Sequence, residues 1–172
     1  MKEIKYQDLS KIEKDLLSEA EKMLKEAYNP YSHFYVGAAI LTSDNQIIGG
    51  ANVENAAYGS CLCAERSALL RANAMGYRHF KKIAVIARAE KSDTKAITAP
   101  CGSCRQMIYE FSQLTGEDIE IIMANTRKTK IMKAKISELL PLAFGPQDLK
   151  VNLKNFLTQS RLYSTIRSYL IV

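Results

Sequence analysis

Apolar residues along this chain recur with two different periods, and the change of period marks out the elements. Ile12, Leu16, Ala20, Met23, Leu24 and Ala27 follow helical spacing. Ahead of them, Ser10-Lys11-Ile12-Glu13 fits a capping box, in which a serine and a glutamate satisfy free amides at a helix start. Asn29-Pro30 stops that helix. Phe34 to Thr42 and Ile47 to Val53 read as strands joined by the turn Ser43-Asp44-Asn45-Gln46, hence a hairpin. The small residues Gly37, Ala38 and Ala39 point to another element packed closely on the first strand. Residues 63–75 read as a second helix, apolar on most sides through Ala64, Ala68, Leu69, Leu70, Ala72 and Met75. Such a helix is buried, and Gly76 is its expected cap.

Lys82 to Ala87 is a near-continuous apolar run, the mark of a central strand. Cys104, Met107, Ile108, Phe111 and Leu114 mark a third helix, ended by Gly116. Ile119 to Ala124 is a fourth strand, and a fifth lies near Lys130 to Ala134. The turn between them is so short that they must pair antiparallel. Ser137 to Leu140 reads as a single helical turn before Pro141, and Met1 to Lys5 as the lead into a charged helical segment. The order α-β-β-α-β-α-β-β predicts an α/β fold: one mixed five-stranded sheet with helices packed on it.

A length of 172 residues suits one domain with one sizeable core. Apolar residues at 47% and charged residues at 24% are the profile of an ordinary soluble globular protein. No stretch approaches the ~20 apolar residues of a membrane span. The N-terminus lacks the apolar run of a signal peptide, so no membrane association and a cytoplasmic location are expected.

The net charge of +6 is local. Arg127, Lys128, Lys130, Lys133 and Lys135 lie in one stretch without acids, and Lys150, Lys154, Arg161 and Arg167 in another. Setting those nine of the 24 basic residues aside leaves 15 against 18 acids, a net of −3. A solvated turn and a solvated tail are the expectation, and a nucleic-acid partner is not.

Cys61, Cys63, Cys101 and Cys104 fall in two tight pairs, without the scatter of a disulfide framework. With no secretion signal, such spacing reads first as metal binding. Cys63 opens the second helix, and Cys101 and Cys104 open the third. Helix N-termini carry free amides and partial positive charge, which favour thiolate. Two such ends facing each other suit zinc. Four cysteines would make a closed structural site, and three would leave a position for water. Cys61-x-Cys63 is tighter than a usual structural pair. Glu65, two residues past Cys63, is placed to move protons for an activated water. Cys63-Ala64-Glu65, followed about 35 residues later by Pro100-Cys101-x-x-Cys104, matches the zinc deaminase signature. Arg66 has a task of its own: three thiolates on Zn²⁺ leave a net negative charge, and an arginine donating to them restores the metal's Lewis acidity.

Several strings then resemble the small, tetramer-forming cytidine deaminases, in family order from about residue 10 to 149. They are Pro30 to Ala39, Asn52 to Tyr58, Cys63 to Arg66, Pro100 to Gln106 and Leu139 to Pro146. The resemblance implies a three-layer α-β-α fold, one Zn²⁺ per subunit on Cys63, Cys101 and Cys104, and Glu65 as proton shuttle. It implies that Asn52 and Glu54 hold the ribose 3′-hydroxyl. The Ala64 amide and Phe34 would meet the base, and Ala56, Tyr58 and Phe144 would complete a neighbouring subunit's pocket in a homotetramer with shared active sites. The implied reaction is hydrolysis of cytidine and deoxycytidine to uridine and deoxyuridine plus ammonia, in pyrimidine salvage. Residues 1–149 would form the deaminase domain, and 150–172 a C-terminal extension with loose helical spacing.

The sequence departs from the family pattern at Tyr35, where proline is common, and in its tail. Cys61 is read as a small buried residue or a spare thiol, His33 as structural and His79 as exposed. Three other readings compete: a deaminase of a modified or antibiotic cytosine nucleoside, a polynucleotide cytosine deaminase, and a non-catalytic four-cysteine module. The Asn52-x-Glu54 pair argues against the first. The second rests only on the basic turn and tail, and the last leaves Glu65 without a task.

Overall fold

Alternate side chains of the central strands part to opposite faces of one sheet, and the helices divide accordingly. The computed structural model describes residues 1–93, 95–153 and 156. Its strands are β1 (Lys2–Ile4), β2 (Phe34–Thr42), β3 (Ile47–Ala51), β4 (Phe80–Ala89), β5 (Glu120–Asn125) and β6 (Ile131–Lys135). Its helices are α1 (Lys11–Met23), α2 (Ala64–Ala74), α3 (Gly102–Thr115) and α4 (Ile136–Leu139). Ala38, Ile40, Ile83, Val85, Ile121 and Met123 face a core shared with α2, α3 and α4. Ala39, Leu41, Ala84, Ile86, Ile122 and Ala124 face the second core, closed by Leu16, Leu17 and Ala20 of α1. Period-two alternation thus supplies both faces of a three-layer α-β-α arrangement.

The two closest packings need glycine. A Cβ on Gly37 would sit 1.9 Å from the Ala20 carbonyl oxygen of α1, and one on Gly50 would sit 2.3 Å from the Ala68 amide of α2. The small residues of the hairpin therefore let helices approach from both sides.

Among the described residues the sheet has six strands, where the hydrophobic pattern predicts five, in the order β1-β6-β5-β4-β2-β3. The added strand is β1, paired antiparallel with β6 through Lys2–Lys133, Glu3–Met132 and Ile4–Ile131. Three residues at a sheet edge are too few to carry a period, so the segment reads as a charged lead-in. Counting β1 moves the numbering. The fourth and fifth strands, β4 and β5, pair parallel rather than antiparallel, because α3 supplies the crossover between them. The antiparallel pair across the short turn is β5–β6. β3 ends at Ala51, and Val53 makes only isolated bridges to Tyr28 and Leu62.

α2 is less apolar around its circumference than expected. Ala64, Ala68, Leu69 and Ala72 are buried, but Leu70 and Met75 are 45% and 50% exposed. Gly76 (φ +93°) and Gly116 (φ +71°) close α2 and α3 in the left-handed conformation. The expected C-terminal helix lies outside the described residues.

A buried charge ties α1 to the sheet. Glu13 is 5% exposed. Its carboxylate takes Lys133 at 2.5 Å and Lys82 at 2.7 Å, and the Ser10 amide at 3.0 Å in the capping box. Burial alone would raise its pKa; the bonds from Lys133, Lys82 and Ser10 outweigh that and hold it at about 2. A depressed carboxyl gives stability that is fully present above its ordinary value of 4.5 and is lost as pH falls toward 2. Glu13→Gln should cost about 2 kcal/mol at neutral pH, since it takes from Lys82 and Lys133 the more buried of the two carboxylates they share and leaves them Glu120 alone. In denaturant titrations the gap between the two proteins should close between pH 4.5 and 2; a gap constant with pH would refute the ionic role.

Candidate metal centre and substrate cleft

Strand order places the thiols. β2 runs antiparallel to both β3 and β4, so those two strands are parallel to each other. The helices that follow them, α2 and α3, therefore begin at the same end of the sheet, on the same face. The carboxyl ends of parallel strands are where such folds place their ligands. Cys63 is the N-cap of α2 and Cys101 the N-cap of α3, with Cys104 one turn in.

The sulfurs of Cys63 and Cys101 lie 3.7 Å apart, and those of Cys101 and Cys104 3.6 Å. All three fall within 4.8 Å of one another, and no other His, Cys, Asp or Glu joins them among the described residues. Zinc–thiolate bonds of about 2.3 Å imply sulfur–sulfur edges of about 3.8 Å in a tetrahedron. The donor set therefore fits a zinc ion with one corner left over.

The hydrogen bond of Cys63 with Cys104 draws its thiol down to about 5 against the opposing effect of burial, and Cys101 and the Arg66 guanidinium add to the pull. Cys104, fully buried, is pushed up in return by Cys63 and by burial. Arg66 donates to the Cys61 carbonyl at 2.8 Å, and its buried Nε finds no oxygen or nitrogen acceptor. Its charge is turned to the sulfurs, which raise its pKa against burial, Cys63 foremost.

Glu65 sits in the first turn of α2 and is 3% exposed. Burial pushes its carboxyl up, and the negative charge of Cys63 adds to that; its own backbone amide, Cys104 and Arg66 offset part of the rise. Ala64, fully buried, is the first residue of α2. Its amide is not consumed by the helix ladder.

A second group of expected site residues surrounds an open cleft of about 270 Å³ lined by Tyr31, Ser32, Glu54, Tyr58 and Cys61. Asn52 and Glu54, read from sequence as sugar ligands, also hold the chain in shape. The Asn52 Oδ1 accepts from the Val36 amide at 2.9 Å, and its Nδ2 donates to the Phe34 carbonyl at 3.0 Å. Phe34 is thereby fixed at the start of β2. Glu54 accepts from the Tyr31 and Ser32 amides at 2.9 and 3.1 Å and from the Ser32 hydroxyl. The Ser32 hydroxyl leads the interactions that hold its carboxyl below the ordinary range. Ala56, Tyr58 and Phe144 are exposed, and Tyr58 meets Tyr31 edge-on at 5.9 Å between ring centroids.

Cys61 stands apart from the metal cluster. Its sulfur accepts from the Asn55 amide at 3.3 Å and faces the Asn55 carbonyl at 3.6 Å, pinning the loop that carries Ala56 and Tyr58. It is half-buried. His33 takes a left-handed backbone (φ +52°) just before Phe34, with its side chain exposed. His79, expected to be exposed, is half-buried with a buried Nε2. Tyr35 packs under the Arg88 guanidinium, 4.3 Å from its ring centroid.

Residues that sequence reasoning did not single out join these parts. Arg105 donates to the Pro100 and Leu139 carbonyls at 2.8 Å each, and Gln106 to the Phe144 carbonyl at 2.8 Å. They bind the Leu139–Pro146 segment to the start of α3. Their signal was present in the Pro100-to-Gln106 string, but spacing alone gave it no partner.

Three sulfurs spaced to hold an ion with one corner open, and a buried carboxyl in the adjoining turn, make a hydrolytic metal centre of the zinc-deaminase class. Residues 10–115 match the family described as the cytidine and deoxycytidylate deaminase zinc-binding region. The chain is 44% identical over 134 residues to a cytidine deaminase of Halalkalibacterium halodurans, covering 78% of this chain and 95% of that one. A cytidine deaminase of Sporosarcina psychrophila is 42% identical over 134 residues, 78% of this chain and 92% of the relative. The crystal structure of cytidine deaminase from Burkholderia pseudomallei superposes with a TM-score of 0.69 at 39% identity, over 79% of this chain and all of the other. The chain belongs to the cytidine and deoxycytidylate deaminase family, and it is a zinc enzyme.

The separation of Cys61 from the cluster is open to direct measurement. Cys61→Ser should retain one zinc per chain by elemental analysis. Cys101→Ser should lower metal affinity by more than about 100-fold, beyond what outer partners alone contribute. Equal zinc loss in both variants would favour a four-cysteine site.

Proposed function

We propose that this chain hydrolyses cytidine and deoxycytidine to uridine and deoxyuridine with release of ammonia, as an enzyme of pyrimidine salvage. The observation that carries this reading is the juxtaposition at one end of the sheet of three sulfurs at tetrahedral spacing and the buried Glu65. Cys63, Cys101 and Cys104 would hold the zinc. When bound, the ion supplies Lewis-acid activation of water at neutral pH.

Glu65 then moves the protons. It takes one from the attacking water, delivers it to N3 of the cytosine ring, and passes the second to the departing amino nitrogen, which leaves as ammonia. The water oxygen becomes the carbonyl oxygen at C4 of the uracil product. Burial keeps bulk water from competing for those protons. Phe34 packs against the base, the Ala64 amide binds its carbonyl oxygen, and Arg66 offsets the charge of the thiolates.

The sugar reading is supported by counting what Asn52 and Glu54 have left. A carboxylate has about four lone-pair sites. Three donors already occupy Glu54. Asn52 has committed one N–H and one lone pair. What remains is one acceptor on Glu54, and one N–H and one lone pair on Asn52, enough to receive a hydroxyl that both donates and accepts. The 3′-hydroxyl of a ribose or deoxyribose is such a group.

Ala56, Tyr58 and Phe144 would serve a neighbouring subunit, in a cytoplasmic homotetramer whose catalytic unit is 1–149. Their exposure in the single chain supports that role. No described helix is long and apolar enough to cross a membrane. Light scattering should return a mass four times that of the 19.3 kDa chain; a monomer that is fully active would overturn the shared-pocket reading.

Glu65→Gln is the decisive substitution. It should retain zinc, and it should lower kcat for cytidine by at least ~10³-fold, within the range for a general acid/base. The loss of absorbance as cytidine becomes uridine reads the rate. Undiminished turnover would leave the proton-transfer role without support.

A further inference from the structure

The Ser32 hydroxyl joins Glu54 to the backbone of Phe34. It is held on both sides: the Phe34 amide donates to the Ser32 oxygen at 3.1 Å, and the hydroxyl proton goes to Oε1 of Glu54. A hydroxyl has a single proton, so accepting from Phe34 leaves that proton for the carboxylate. The Ser32 and Tyr31 amides meanwhile occupy Oε2. Glu54 is thus gripped at both oxygens by one two-residue turn, and the same turn fixes the amide of Phe34.

We propose that Ser32 is a positioning residue that sets recognition of the sugar hydroxyl: its hydroxyl holds Glu54 in the rotamer that offers one remaining acceptor to the nucleoside, and it links that acceptor to the backbone amide of Phe34. This inference rests on the reading of Glu54 as a sugar ligand. Without the Ser32 hydroxyl, Oε1 loses a charge-assisted bond and gains a second vacant acceptor site, which water can fill. The carboxylate then has no single preferred partner. The Phe34 amide loses its acceptor at the same time. None of this touches the sulfurs or Glu65, so the chemical step is left intact. Loosening of Phe34 acts on all substrates alike, so the difference between those that carry the 3′-hydroxyl and those that lack it reads the effect through Glu54.

The test compares deoxycytidine with 2′,3′-dideoxycytidine as substrates of the zinc-loaded protein. The native protein should favour deoxycytidine in kcat/KM. Ser32→Ala should reduce that preference roughly tenfold, the scale of one charge-assisted hydrogen bond. The loss should appear in KM for deoxycytidine, with kcat nearly unchanged. Ser32→Thr keeps a hydroxyl and should keep the preference, and Ser32→Cys, a weaker donor of similar size, should fall between. Thermal unfolding of each variant checks that the turn still folds; Ser32 is exposed, so these changes displace no core.

Glu54→Gln separates the two levels of the argument. Suppose it abolishes the preference while Ser32→Ala lowers activity equally on both substrates: the sugar reading then stands and the Ser32 proposal is overturned. If Glu54→Gln leaves the preference unchanged, the sugar reading fails and the proposal fails with it.

Discussion

Everything chemical in this protein depends on β3 and β4 running parallel on either side of β2. That constraint makes two helices start side by side from loops at one end of the sheet. Cys63 and Cys101 are 38 residues apart in sequence, yet they become caps of neighbouring helices. The sulfurs thus sit at two helix N-termini, whose partial positive charge favours their ionised form. A metal bound there completes an electrostatic arrangement that the sheet topology has already built. The close approach of α2 to the sheet depends in turn on Gly50, which lies against the backbone of Ala68.

The same economy of backbone groups governs the sugar side of the cleft. Asn52 acts as a short length of strand, satisfying the Val36 amide and the Phe34 carbonyl on the side of β2 where β3 has ended. Glu54 does the same for the Tyr31–Ser32 turn. Two residues that a nucleoside would contact are therefore rigid before it arrives, because the unpaired backbone of the cleft wall needs them. Preorganisation of this kind costs nothing further at binding.

How far the sequence could be read follows from which interactions are local. The capping box at Ser10 and Glu13, the strand alternation in β2 and β4, and the glycine caps at positions 76 and 116 all arise within a few residues, and each is present in the fold. The cysteine spacing exposed the metal donors because helix N-caps impose that spacing. What escaped depends on partners distant in the chain. β1 exists only because Lys2–Ile4 finds the edge of β6, about 130 residues later. The burial of Glu13 required lysines from two strands. Ser32, Arg105 and Gln106 were inside recognised strings, but their hydrogen bonds run to Glu54, Leu139 and Phe144, which spacing does not connect. Leu70 and Met75 show the converse error: counting apolar residues around α2 does not say which of them meets a neighbour.

The basic turn illustrates why composition needs geometry before it speaks to partners. Arg127 pairs with Asp93 at 3.2 Å, Lys128 with Glu21 at 2.6 Å and Lys133 with Glu13 at 2.5 Å. Lys135 donates to the Asp118 carbonyl at 3.0 Å. Asn125 closes the turn, accepting from the Thr129 amide at 2.9 Å and donating to the Lys95 carbonyl at 3.2 Å. Four of the five cations that gave this stretch its excess charge thus have partners among the acids and carbonyls of α1, of the loop after β4 and of the segment before β5, Lys128 and Lys133 largely covered and Arg127 and Lys135 at the surface. A polynucleotide would have to displace those partners to use them, since its affinity comes from cations free to replace counterions on phosphate. Charge held in this way ties the turn to α1 and to the neighbouring loops, and it leaves little free cation for a nucleic-acid strand.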